Sequence, residues 1–192
     1  VIVGGGDPDA ALMIVGEAPG FQEERDDTPL AGQAGELLDR LLEGIGLSRA
    51  EVYLTTVLKC RPPGSRDPHE DEVVACEPHL FRQIELVRPA VVATLGTFAT
   101  RLLSGRPHGI TSVRGRPQEL TIGACVTTLL PLYHPAAALY TPALLEALEA
   151  DVAAIPGLLG RAVELSATVP APPASEPVPI VGALEPDQLG LF

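Results

Sequence analysis

The residues able to do chemistry sit in short segments rich in Gly and Pro. Glu17 lies within Gly16-Glu17-Ala18-Pro19-Gly20. Lys59, Cys60 and Arg61 lead into Pro62-Pro63-Gly64, and His134 precedes Pro135. A carboxylate and an imidazole held in such turns could handle protons or stabilise developing charge. Taken singly, each also fits an exposed turn acid and a histidine satisfying a strand end. Cys60 and Cys76 lie 16 residues apart and are candidate thiolate ligands or two unligated thiols. Cys125 falls inside an apolar run and reads as a small core residue. No GxxxxGK[ST] loop follows the glycines at positions 4–6, so nucleotide hydrolysis is disfavoured.

The chain carries a net charge of −12. Indiscriminate binding to nucleic acid is therefore disfavoured, because phosphate contacts supply most non-specific affinity. Any polyanion surface must be a local cluster of cations. Two candidates are Lys59, Arg61 and Arg66, and then Arg101, Arg106, Arg114 and Arg116. Each could equally be solvated surface charge. Three cysteines make no even disulfide framework, which fits a reducing cytoplasm. No run of about 18 apolar residues suggests a membrane span. Val1 is not an initiator Met, so residues upstream are expected.

The elements that must position these groups follow from periodicity. Apolar runs at residues 11–15, 52–58, 90–95 and 125–130 read as buried parallel strands. Helical spacing links Leu37, Leu38, Leu41, Leu42 and Ile45, with Gly46 as a stop. It links Val73, Val74, Leu80, Ile84 and Val87 too, though Pro78 should break that stretch or begin a new helix. Shorter helices are expected around Phe98, Leu102 and Leu103, and around Leu144, Leu145 and Leu148. Strands alternating with helices predict an α/β fold with a parallel sheet between helical layers. Ligands in such sheets bind beyond the carboxyl ends of the strands. The segments at Gly16, Lys59, Gly96 and His134 should all meet there. Residues 1–165 read as the folded domain. Residues 166–187, dominated by Pro, Ala and acids, read as a disordered linker.

Several motifs, taken in order, resemble those of the family-4 (iron–sulfur) uracil-DNA glycosylases. They are Gly16-Glu17-Ala18-Pro19-Gly20, Pro29-Leu30-Ala31-Gly32-Gln33-Ala34-Gly35 and the run at residues 52–63 through Lys59-Cys60-Arg61-Pro62-Pro63. Leu95-Gly96, Arg114-Gly115 and His134-Pro135 follow. The resemblance covers roughly residues 1–155. It implies a three-layer α/β/α sandwich around a central four-stranded parallel sheet, and a monomer. It implies excision of uracil from DNA in base-excision repair, after the nucleotide is flipped from the stack. On that pattern His134 donates to the leaving uracil and Glu17 supports the cationic sugar and its water. Ala18, Pro19 and Gly20 line the pocket with Leu30 and Thr56. Lys59, Arg61, Arg66 and Arg114 are the candidate DNA contacts. Cys60 and Cys76 match one pair of ligands to a [4Fe–4S] cluster, whose other two ligands are expected upstream of Val1.

Two positions depart from that pattern. Leu30 stands where the family carries an aromatic residue that stacks on the base, a contact worth about 1–3 kcal/mol. Thr56 stands where the family carries an asparagine that reads the uracil edge; threonine offers one hydroxyl. A glycosylase of altered base preference, or a non-catalytic DNA- or lesion-binding module, therefore stays open beside the uracil reading. The terminal Gln188, Leu189, Gly190, Leu191 and Phe192 resemble the peptide by which bacterial repair proteins bind the sliding clamp. A flexible tether would raise the effective concentration of the domain at DNA.

Overall fold

The computed structural model describes residues 1–168, with side chains through Arg161. Among these residues one sheet of six strands forms. They are β1 (Gly5–Gly6), β2 (Leu12–Gly16), β3 (Tyr53–Thr56), β4 (Val91–Leu95), β5 (Gln118–Ile122) and β6 (Cys125–Leu132). The helices are α1 (Phe21–Asp26), α2 (Gly32–Gly44), α3 (Glu70–Val87), α4 (Gly96–Ser104), α5 (Ile110–Val113), α6 (Pro135–Ala138), α7 (Pro142–Val152) and α8 (Ile155–Thr168).

Strand order is β1-β3-β2-β4-β6-β5. The inner four, β3, β2, β4 and β6, run parallel, and they occupy the four apolar runs of the sequence. The sheet is nevertheless mixed and six-stranded rather than four-stranded. β1 pairs antiparallel to β3, and β5 antiparallel to β6. Both extra strands lack an apolar run. β1 is two glycines, and a Cβ on Gly6 would collide with the Val52 carbonyl. β5 is an edge strand with mostly exposed or half-buried side chains.

Every residue of β2 and β4 is buried, because helices cover both faces of the sheet. Strand alternation sorts the core into two layers. Leu12, Ile14, Val91, Ala93 and Leu130 point to the side packed by α2, α7 and α8. Met13, Val15, Val92 and Leu129 point to the other side, against Leu80 and Ile84 of α3 and Ala99 and Leu103 of α4. Each fully buried Leu or Ile contributes about 1.5–3 kcal/mol.

Pro78 does not break its helix. α3 runs through it from Glu70 to Val87. Val74, whose carbonyl loses its helical partner there, is exposed, so that oxygen lies on the face turned to solvent. The last helix continues to Thr168, three residues beyond the boundary expected at 165/166. The rest of the expected linker and the clamp-like peptide, Gln188 to Phe192, lie outside the described residues. No helix among the described residues is long and apolar enough to cross a membrane.

Candidate functional site

From β2 the chain goes to β3 on one side, then crosses to β4 on the other. The carboxyl end of β2 is thus the switch point where a crevice opens in a doubly wound sheet. Gly16-Glu17-Ala18-Pro19-Gly20 sits at that point. The segment is stitched to the end of β3: Val57 and Leu58 donate backbone N–H bonds to the carbonyls of Gly16 and Glu17, each 2.9 Å.

Space at Gly16 is tight. A Cβ there would lie 3.3 Å from both Leu30 Cδ2 and Thr56 Cγ2. Those two predicted pocket residues therefore close on one point. Thr56 turns its methyl to this wall and donates its hydroxyl proton to the Leu58 carbonyl at 2.6 Å. Leu30 is buried and left-handed at φ 53°, a conformation that costs a leucine about 1–3 kcal/mol. Two contacts hold it there. Arg49 donates to the carbonyls of Pro29 and Leu30, both at 2.9 Å, while its Nε bonds Asp39 at 2.8 Å. Gly35 lets the Leu30 carbonyl approach, since a Cβ would occupy the same space.

Glu23 was not among the residues the sequence singled out, yet it joins two walls of the crevice. Its carboxylate accepts the N–H of Gly20 at 3.0 Å and that of Ala31 at 2.9 Å. No local motif announces a bond to Ala31, eight residues away. Glu17 is partly buried, and its carboxylate has no hydrogen-bond partner among the described residues. Burial pushes its carboxyl up, and the negative charge of Asp67 adds to this.

Gly96 follows β4 as the first residue of α4, and its missing Cβ would touch His134 Cβ at 3.5 Å. His134 leaves β6 as the N-cap of α6. Its Nδ1 accepts the Ala136 N–H at 3.1 Å. That bond requires an unprotonated Nδ1 and leaves Nε2 carrying the proton in the neutral ring. Burial pushes the imidazole below its ordinary value, against the opposing field of Glu23. The crevice thus brings together Glu17, Ala18, Pro19, Gly20, Leu30, Thr56 and His134 on one rim.

The expected cations divide differently. Lys59 is not a surface charge. It is 5 % exposed and donates to Thr55 Oγ1, the Thr56 carbonyl and Gln83 Oε1 at 2.6–2.7 Å. Burial pulls its ammonium down to about 8, with Cys76 opposing. Three acceptors keep the proton in place at neutral pH. Arg114 is also turned inward. It lies 5.3 Å over the Tyr133 ring, donates to the Ala147 carbonyl at 2.9 Å and has Nε 3.0 Å from Asp151. That N–H is poorly aimed at the carboxylate, so the contact acts as an ion pair rather than a hydrogen bond. Gly115 has φ +66°, and a Cβ there would strike the Asp151 carboxylate. Arg61 is half exposed, 5.4 Å over the Phe21 ring, with Ser65 and Glu24 alongside. Arg66 is held by Glu72 at 2.7 Å.

Cys60 and Cys76 line one cavity of about 410 Å³ with Val1, Ala75, His79 and Gln83. Both thiols are at least partly accessible, which suits ligands. No group of three or more His, Cys, Asp or Glu among the described residues could hold a metal. Cys125 belongs to the core cluster packed by α3 and α4, as expected.

Comparison with known proteins places the chain in a family. The pattern of the Uracil DNA glycosylase superfamily matches residues 3–154. The chain is 44% identical over 155 residues to a type-4 uracil-DNA glycosylase of Saccharolobus solfataricus, covering 78% of this chain and 72% of that one. It is 41% identical to the type-4 enzyme of Archaeoglobus fulgidus, over 83% of this chain and 82% of that one. Against the type-4 enzyme of Thermotoga maritima it is 40% identical, over 70% and 69% of the two chains. With its motifs at the carboxyl ends of β2, β3, β4 and β6, the chain belongs to the uracil-DNA glycosylase superfamily.

Proposed function

We propose that this protein removes uracil from DNA by hydrolysing the N-glycosidic bond of a flipped nucleotide. The observation that carries this is the fixed tautomer of His134, whose Nε2–H is left free to donate. Uracil departs with negative charge on its ring oxygens. A preorganised donor meeting that charge in a site shielded from water is the largest single contribution expected. The sugar becomes cationic at C1′, where Glu17 supplies negative charge and orients the attacking water. Water forms the new C1′–O bond, the bond to the base nitrogen breaks, and the water proton ends on the departing base.

A second reading keeps support from Thr56 and Leu30. The Thr56 proton is committed to the Leu58 carbonyl, and Leu30 offers alkyl surface without a ring. Edge readout is correspondingly weaker, which favours a broadened base range.

The test is excision from a single-stranded oligonucleotide bearing one uracil, read as strand cleavage after alkali. The wild type is expected to cut, and Glu17→Ala to cut at least about tenfold more slowly. A folded wild type that leaves uracil intact while cutting oligonucleotides with other deaminated bases would move the conclusion to the second reading.

Glu23 supports the same site without touching the base. Glu23→Ala leaves the N–H groups of Gly20 and Ala31 without their acceptor, a loss of about 1–3 kcal/mol. We expect kcat/KM to fall about tenfold or more, with Glu23→Gln recovering part of it. Equal activity of Glu23→Ala and wild type would remove Glu23 from the site's support.

Cys60 and Cys76 are proposed as two thiolate ligands of a [4Fe–4S] cluster. The shared cavity and accessible thiols support this, and two further ligands would come from outside the described residues. Such a cluster would brace the loop after Cys60 and takes no step in the hydrolysis. The terminal peptide with Gln188, Leu189, Leu191 and Phe192 is proposed as a sliding-clamp ligand on its sequence alone.

A further inference from the structure

From Leu86 to Gln118 the chain contains five arginines and no Asp or Glu. In a protein of net charge −12 that is a concentrated exception. Two of these arginines are remote or inward: Arg88 ends α3, and Arg114 packs on Tyr133. The others, Arg101, Arg106 and Arg116, are exposed and form no ion pair among the described residues. By contrast Arg25, Arg49, Arg61, Arg66 and Arg82 each face a carboxylate.

The fold gathers Arg106 and Arg116 around one groove of about 320 Å³. Arg106, His108, Ser112, Val113, Arg116 and Gln118 line it, with no carboxylate. Arg101 donates to the carbonyl of His108, one of the lining residues, at 3.2 Å. Glu119 follows Gln118 in β5, where alternation points its side chain to the opposite face. The groove is also joined to the base crevice. Gly115, next to Arg116, donates its N–H to the Pro131 carbonyl at 2.9 Å, three residues before His134.

We propose that this groove binds phosphates of the DNA strand flanking the flipped nucleotide, away from the crevice itself. Two exposed guanidinium groups, an imidazole and a hydroxyl around an acid-free hollow suit a phosphodiester. Separation from the base explains how an acidic chain holds DNA: the contact is confined to one side of the rim. The strand assignment rests on reading the crevice as a uracil site; the groove's affinity for polyanions does not.

The experiment compares the full chain with Arg106→Ala/Arg116→Ala. Anisotropy with a labelled, uracil-free 20-nucleotide single strand is measured across a salt series. Each single-strand phosphate contact adds about 0.7 to the slope of log K against log salt. The double variant is expected to lose about 1.4 from that slope and to bind about tenfold more weakly at low salt. Excision of uracil from a trinucleotide, whose phosphates stay beside the crevice, should be unchanged. An unaltered slope and affinity in a folded double variant overturns the proposal. Loss of short-strand excision also overturns it, because the groove would then belong to the crevice. If the wild type excises nothing but the slope still drops, the uracil reading fails and the phosphate groove stands.

Discussion

Replacing His134 with alanine is expected to lower kcat for uracil excision about 10²–10³-fold. The magnitude is that of one preorganised donor removed from a developing oxyanion, about 2.7–4 kcal/mol. His134→Gln keeps a donor of different reach and should sit between alanine and wild type. Single-turnover kinetics at saturating enzyme is the measurement, since it isolates chemistry from product release. Full activity in His134→Ala would show that the leaving base is stabilised elsewhere.

The same residue sets a pH dependence. Burial lowers the imidazole below its ordinary value of about 6.5, so the folded state binds its proton less readily than the unfolded chain. The stability contributed by the neutral ring is complete above about 6.5 and is lost as pH falls through the lower folded value. Activity should follow, because a protonated Nδ1 can no longer accept the Ala136 N–H and the ring loses its fixed orientation. The rate is expected to be level above neutrality and to decline on the acid side. A decline that persists unchanged in His134→Gln would belong to another group.

Lys59→Met is expected to destabilise the protein by about 2–4 kcal/mol, read as a lower urea midpoint. The methionine fills much of the same space, so packing changes little. What is lost is a cation that satisfies Thr55 Oγ1, the Thr56 carbonyl and Gln83 Oε1 together. Leaving a buried acceptor unsatisfied costs about 1–3 kcal/mol, and relief of the buried ammonium offsets part of the total. The consequence reaches the site because Thr56 is both a network member and a crevice wall. It reaches the amino-terminal segment too: Gln83 and Thr55 both donate to the Val3 carbonyl, at 2.7 and 2.8 Å. Excision should therefore fall with Lys59→Met even at temperatures where the variant is folded. An equal or raised urea midpoint would mean that burying the charge costs more than its three bonds return.

Much of the site was legible because its residues are local. Gly16 to Gly20 and His134-Pro135 each follow an apolar run, and the switch point of a doubly wound sheet is where such segments meet. Glu23 and Arg49 were not legible. Their work is to accept N–H groups of Gly20 and Ala31 and to donate to the carbonyls of Pro29 and Leu30. Backbone partners leave no trace in side-chain identity. Lys59 and Arg114 were misread for a related reason. Charge type alone assigns a cation to the surface, and only the fold supplies the acceptors and the aromatic face that bring these two inside.

The sequence by itself determined the four parallel strands. A strand buried on both faces is a near-continuous apolar run, so its pattern survives without knowledge of its neighbours. It also singled out the strand-end turns that hold Glu17, Cys60 and His134. The tertiary structure alone decided the edge strands β1 and β5, since a glycine pair and a half-exposed strand carry no apolar signature. It alone decided the tautomer of His134, the left-handed backbone of Leu30 and the inward turn of Lys59. Each of these depends on a hydrogen-bond partner or close contact whose position is set by packing, and packing is a property of the whole chain.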